Sequence, residues 1–285
     1  MAHALPTYRP SGSFNALVLP LAVLALLPGA LLALAYQWLV HVIPFVYLNL
    51  LVMLGFAAAL GLLVSQVVHW ARCRNRAVAV LLGIVVATTA LAASYGWDYR
   101  STIGRVAAAH PELTTAQIRA EYDFASHLGA RQEAGWKVKS STFRGTGVLL
   151  VWAVEALATL GLVVIMAWGS VGTPFCERCG RWTTKRELTI AGRSRDDLEP
   201  LLARGDLDAT VDLQPPVEAA PWPALRLSGS LCPGCRECGF LSVSERNQVM
   251  EKGKSKEQVH ELLAHAILSP EQRARFEARA TASPS

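Results

Sequence analysis

The chain has 285 residues, 52% of them hydrophobic and 17% charged, where ordinary soluble domains carry about 25% charged residues. That composition excludes a disordered protein and leaves room for about one to three domains. The net charge of +5 does not point to nucleic acid, because residues 169–285 carry equal numbers of basic and acidic side chains and so present no net basic field.

No acidic residue precedes Asp98. Four apolar stretches, 16–36, 45–69, 77–95 and 147–168, each match the ~20 residues that cross ~30 Å of hydrocarbon as a helix. Tyr36, Trp38, Trp70, Tyr95, Trp97 and Trp168 stand at their ends, where amphipathic rings favour the membrane interface. Pro28 falls inside the first stretch and reads as a proline tolerated in a bundled helix. A competing reading makes residues 1–35 a signal peptide, with Arg9 as its charged start and Ala33-Leu34-Ala35 as the cleavage site.

Orientation follows from Arg and Lys near the spans. The 70–76 connection holds Arg72, Arg74 and Arg76, whereas 37–44 holds no Arg or Lys. The expectation is a transmembrane domain over 1–168 with both termini in the cytoplasm and segment 96–146 outside. Basic residues in that outer segment oppose this assignment, while Arg178, Arg181, Lys185 and Arg186 support it. Within the outer segment, Thr114 or Thr115 can cap a helix running to about Leu128, with Gly129 past its end and Ile118, Tyr122 and Ala125 as its apolar stripe.

Glu155 is the one acidic residue inside a predicted span. Such a group normally faces the bundle and has a partner. On this topology Thr88 and Thr89 lie at matching depth and are the expected partners.

Cys176-Glu-Arg-Cys179 follows the fourth span at once, and Cys232-Pro-Gly-Cys235-Arg-Glu-Cys238 comes later in the chain. Two Cys-x-x-Cys turns can bring four thiolates to one point, which suits a structural, tetrahedral Zn2+. Cys176, Cys179, Cys232 and Cys235 are the favoured ligands, with Cys238 as an alternative ligand. A closed four-thiolate set leaves no open position for catalysis. Cys73 reads as a lone, inert thiol.

Residues 169–285 are therefore expected to form a small α+β, zinc-ribbon-like domain. Its elements are a strand over 181–190, a helix over 194–204, a strand over 207–213 and a stiff loop over 214–223. Strands then lead to and from the second cysteine turn, and helices cover 256–267 and the stretch from Pro270. Ser269 and Gln272 form the sequence of a capping box. Trp182 and Trp222 read as core or rim. His260 and His265 are five apart, which does not fit the four-residue spacing of the helical zinc-protease motif. The chain has no Walker loop, dinucleotide glycine fingerprint or nucleophile elbow.

The run Val151-Trp-Ala-Val-Glu-Ala156, joined to Thr173-Pro-Phe-Cys-Glu-Arg-Cys-Gly-Arg-Trp182, resembles uncharacterised bacterial multi-pass membrane proteins with a cytosolic cysteine-rich tail. The resemblance implies a bacterial inner-membrane setting and brings no activity with it. The favoured function is non-enzymatic, a zinc-stabilised cytosolic module that docks a protein partner at the lipid bilayer. The alternatives are a small transporter, channel or sensor built around Glu155, and a membrane thiol oxidoreductase using its Cys-x-x-Cys pairs.

Overall fold

The computed structural model describes residues 5–43, 45–138, 141–217, 220–251 and 254–282. Two residues of the predicted 214–223 loop, 218 and 219, lie outside the described residues. The chain divides into two compact units: residues 11–171, and residues 172–285 together with 1–10.

The first unit holds four helices long and apolar enough to cross a membrane. They are α1 (Val18–Val42), α2 (Val46–Trp70), α3 (Arg76–Ala109) and, further along the chain, α6 (Thr146–Val171). Pro28 sits inside α1 without ending it. Helices α2 and α3 each contact α1 and α6. Small residues set the spacing: a Cβ added at Gly61 would fall 2.4 Å from Met166 Sδ, and one at Gly83 would fall 3.4 Å from Val163 Cγ1. The core between the helices is built from Ala33, Ala57, Leu60, Val64, Ala87, Ala90, Val163 and Ala167, all nearly or fully buried.

Helix α3 does not stop at Tyr95, where the apolar stretch ends. It runs on to Ala109, because leaving hydrocarbon removes the apolar requirement and not the helical backbone bonding. The chain continues with α4 (Thr115–Glu121), α5 (Phe124–Ala134) and a short hairpin, β1 (Trp136–Val138) with β2 (Ser141–Phe143). Thr114 caps α4 in a capping box with Gln117. The single helix expected to Leu128 is two helices, and Gly129 lies within the second. Asp123 is the cause: its carboxylate accepts from Ser126 N at 2.7 Å and starts a new helix. Ala125 is exposed, so the expected apolar stripe does not hold.

The second unit begins with β3 (Phe175–Cys176) and β4 (Arg181–Trp182), a two-stranded turn carrying the first cysteine pair. Its main sheet is antiparallel in the order β5 (Thr184–Ala191), β6 (Ala224–Leu231), β7 (Gly239–Glu251), β8 (Lys254–Ile267). Between β5 and β6 lie α7 (Arg195–Ala203) and α8 (Leu207–Asp212), and α9 (Pro270–Ala282) closes the chain. Leu188, Leu227 and Val243 stand in register across three strands. They are buried in one core with Leu198, Val211 and Phe276.

Two expected elements are of the other type. Residues 207–212 form a helix instead of a strand. Asp206 caps it by accepting from Ala209 N at 2.9 Å, and Leu207 and Val211, one turn apart, are both buried. Its free carbonyls are met from α9, where the Arg279 guanidinium donates to Val211 O and, at 2.7 Å, to Leu213 O. Residues 256–267 form strand β8 instead of a helix. Register shifts opposite Leu241, Val243 and Ser244 place extra residues in β8. The shifts set its inward side chains Leu263 and Ala266 three apart, a spacing that imitates a helical turn. The helix after Ser269 forms as expected, with the Gln272 amide N–H on Ser269 Oγ and the Ser269 N–H on Gln272 Oε1.

Residues ahead of α1 join this unit. Thr7 bridges Ala266 of β8, Tyr8 N donates to His265 O, and Ile267 N donates to Pro6 O. At the far end, β7 and β8 continue beyond β6 as a two-stranded arm, in which Gln248–Glu251 and Lys254–Glu261 are exposed on both faces.

Helix α9 packs its fully buried Phe276 ring over β6 where Gly229 has no side chain. A Cβ there would fall 2.1 Å from the ring. The substitution G229A is expected to destabilise the second unit by about 1–3 kcal/mol through forced displacement of that ring. Thermal unfolding of the purified variant, followed by circular dichroism, checks it.

Candidate metal centre

The two cysteine turns meet. The Sγ atoms of Cys176, Cys179, Cys232 and Cys235 all lie within 4.8 Å of one another. Such a group can hold a metal ion. Cys176 ends β3 and is buried, and Cys232 follows β6 and is buried, whereas Cys179 and Cys235 are half-buried at the turn tips. Cys238, the fifth cysteine, lies outside this set. Its backbone carbonyl accepts from Cys232 N at 3.1 Å, so it closes the second turn.

Each turn is shaped by its backbone. Gly180 follows Cys179 with φ +60, a left-handed conformation that glycine takes without a Cβ penalty. Gly234 N donates to Cys232 Sγ at 3.3 Å. A Cβ on Gly234 would come 3.3 Å from Cys179 Sγ, so the absence of a side chain lets the turns approach. Phe175 stacks edge-on against Trp182 at 4.9 Å beneath the first turn. Trp222 lies under the Arg246 guanidinium at 5.5 Å.

Behind the second turn stands Arg273 of α9, 4% exposed. Its guanidinium donates to Cys235 O at 2.6 Å and Cys232 O at 3.1 Å. One cation therefore fixes both ends of the Cys-Pro-Gly-Cys turn. Nothing in the periodicity of 270–282 separates Arg273 from the other arginines of that helix. Its burial depends on Gly239, where a Cβ would meet the Arg273 stem at 3.1 Å.

The thiols differ. The N–H groups of Glu237 and Cys238 point at the Cys235 sulfur and lower its pKa to about 6. Hydrogen bonding to the Cys235 sulfur pushes Cys179 up to about 12, and burial does the same for Cys238. Burial also raises Cys176. The protein thus favours one thiolate with neighbouring thiols donating to it, and further ionisation calls for a cation.

The other singled-out residues lie elsewhere. Cys73 is fully buried in the helical unit, its thiol on Asn75 O at 3.6 Å. Thr88 and Thr89 are exposed on the outward face of α3, and Thr88 Oγ1 donates to Ile84 O. They are not the partners of Glu155. The Tyr36 hydroxyl is, donating to Glu155 Oε1 at 2.5 Å. Sequence reasoning also missed a buried cluster around Asp98. This carboxylate, 2% exposed, meets His127 Nε2 at 3.1 Å, an Arg131 guanidinium nitrogen at 3.2 Å and His41 Nε2 at 3.4 Å. The available signal was His127 and Arg131 four apart in the segment after the chain's first acidic residue.

Comparison with family models, with curated proteins and with solved structures returns no match to this chain.

Replacing Cys176, Cys179, Cys232 or Cys235 with serine is expected to abolish metal retention, and C238S to preserve it, as read by elemental analysis of the purified variants. R273M, which leaves all ligands in place, should weaken metal affinity by about 10–100-fold, measured by chelator competition. In metal-free protein Cys235 should be the first thiol alkylated by iodoacetamide. Its labelling should fall as pH drops through about 6, which peptide mapping by mass spectrometry follows.

Proposed function

We propose that residues 172–285 form a zinc-stabilised docking module on a multi-pass membrane protein, with both termini in the cytoplasm of a bacterial cell. The observation that carries the zinc assignment is the sulfur spacing. A regular tetrahedron with Zn–S bonds of ~2.3 Å has edges of about 3.8 Å, and Cys176 and Cys235 stand 3.8 Å apart in a four-sulfur group of 4.8 Å span. Four thiolates satisfy the ion fully, so it serves folding and not catalysis.

The shared side of the membrane rests on strand pairing. Residues 6–8 bond to β8, so the chain before α1 and the chain after α6 occupy one side of any bilayer the four helices cross. Removal of residues 1–35 as a signal peptide would also remove this pairing and most of α1. The three arginines at 72–76 favour the cytoplasm for that side.

Docking is supported by the β7–β8 arm. On this arm Val249, Met250 and Val259 are 39%, 70% and 54% exposed, and Arg246–Glu257 and Lys256–Glu251 are ion-paired. Met250 and Val259 share one face of the arm, and exposed apolar side chains set among polar ones suit a partner-binding patch.

Two measurements test the reading. Purified protein should contain about one zinc per chain, with thiols that react only after chelation. No metal together with disulfides between the turns would overturn it and favour thiol redox chemistry. A photo-cross-linking residue at Met250 in cells should give a discrete adduct that the same residue at Val217 does not. Equal labelling at both positions would remove the docking role.

A further inference from the structure

A cavity of ≈ 280 Å³ lies within the helical unit, at the end of the bundle carrying α3's extension. Tyr36, Tyr95, Trp152 and Met53 form much of its lining, and Glu155, Asp98 and Arg131 also border it. The aromatic groups are held in place. Tyr36 stacks on Phe56 with ring centroids 4.7 Å apart, and Tyr95 meets Trp152 edge-on at 5.9 Å.

The charges are unequally matched. Asp98 has the cationic Arg131 at 3.2 Å, besides His127 and His41. Glu155 has the neutral Tyr36 hydroxyl on one oxygen and forms no ion pair among the described residues. A carboxylate has about four acceptor sites, so one phenol leaves most of its capacity free. With Arg131 balancing Asp98, the lining carries one uncompensated negative charge when Glu155 is ionised. Aromatic faces attract cations as well. An anion meets repulsion there, and a neutral apolar ligand leaves the carboxylate without a counter-charge.

We propose that this cavity binds a small organic monocation, a protonated amine or quaternary ammonium, with Glu155 as counter-charge and Tyr36, Tyr95 and Trp152 as the aromatic wall. The volume lies at the lower limit of small-ligand sites, about 300–1,000 Å³, which restricts the ligand to a compact one. The site deepens the reading of this chain as a sensor or carrier built around Glu155, and it stands independently of the metal centre.

The test uses the full-length protein in detergent or nanodiscs and isothermal titration with tetramethylammonium, choline and benzyltrimethylammonium. A fourth probe is 3,3-dimethylbutan-1-ol, the uncharged carbon isostere of choline. Saturable binding of at least one cation, with choline preferred over its isostere, is expected. In E155Q, where Tyr36 keeps an acceptor, cation affinity should fall by about tenfold or more, the worth of a lost charged contact, while the isostere is unaffected. W152L should weaken the cations as well. Equal binding of choline and its isostere would overturn the proposal, as would unchanged cation affinity in E155Q. So would the absence of saturable binding by all three cations at millimolar concentration. The isostere comparison on the unmodified protein decides the matter even if E155Q does not fold.

Discussion

Four cysteine sulfurs inside a 4.8 Å span are the constraint on which the second unit depends. Thiols packed so closely cannot all ionise without a cation among them, and thiols left neutral make weak hydrogen bonds. The turns that present them lie at the two ends of a long excursion, β5 through β6. Holding them together closes that excursion, a loop whose ordering would otherwise cost the chain its closure entropy. The rest of the unit follows from this point. Residues just past the first turn enter β5, β6 runs directly into the second, and β7 leaves it. Arg273 carries the constraint onward to α9, and Phe276 of that helix fills the space over Gly229. The metal turn and the apolar core are thus joined through one helix, by a cation at one turn of it and a ring at the next.

The helical unit is held by different physics. Its four helices are long and apolar enough to cross a membrane, where lipid would give no hydrophobic drive between them, so close approach of small residues and a few polar contacts matter most. Gly61 against Met166 and Gly83 against Val163 are the first kind. The Tyr36–Glu155 bond is the second. The Asp98 cluster ties α1, α3 and α5 through one buried carboxylate. Burying that charge is costly unless it is paired and hydrogen-bonded, and three partners from two other helices meet the requirement.

The sequence read well where one local rule dominated. Apolar length marked the spans, the paired Cys-x-x-Cys turns marked the thiol site, and Ser269 with Gln272 marked the start of α9. It read poorly where tertiary contacts decide. A strand is expected over 207–213, and the Asp206 cap with Arg279 on its carbonyls makes a helix of 207–212. In β8 the bulges shift the inward positions until they mimic helical spacing. Glu155 was legible as a buried carboxylate, but depth arithmetic chose Thr88 and Thr89 as partners when rotation about α3 turns both outward. Arg273 and Asp98 carried no local pattern of their own, since their roles come from what packs over them.

The two ends of the bundle carry different groups. Segment 12–13 bonds to Arg74 and Asn75, and Arg76 lies over Trp168 of α6 at 4.7 Å. These contacts gather the start of α1, the α2–α3 connection and the end of α6 at one end of the unit, together with Arg72, Arg74 and Arg76. Glu155 and Asp98 border the cavity at the other end. With the arginine end in the cytoplasm, the carboxylates lie toward the outside, and a cation reaching Glu155 comes from that side. The same orientation sends the chain from α6 directly into the first cysteine turn on the cytoplasmic side. There a structural disulfide is disfavoured and a thiolate-bound ion is the stable alternative. The thiol chemistry thus depends on which side of the membrane the three arginines occupy, whereas the charge and aromatic lining of the cavity are the same in either orientation.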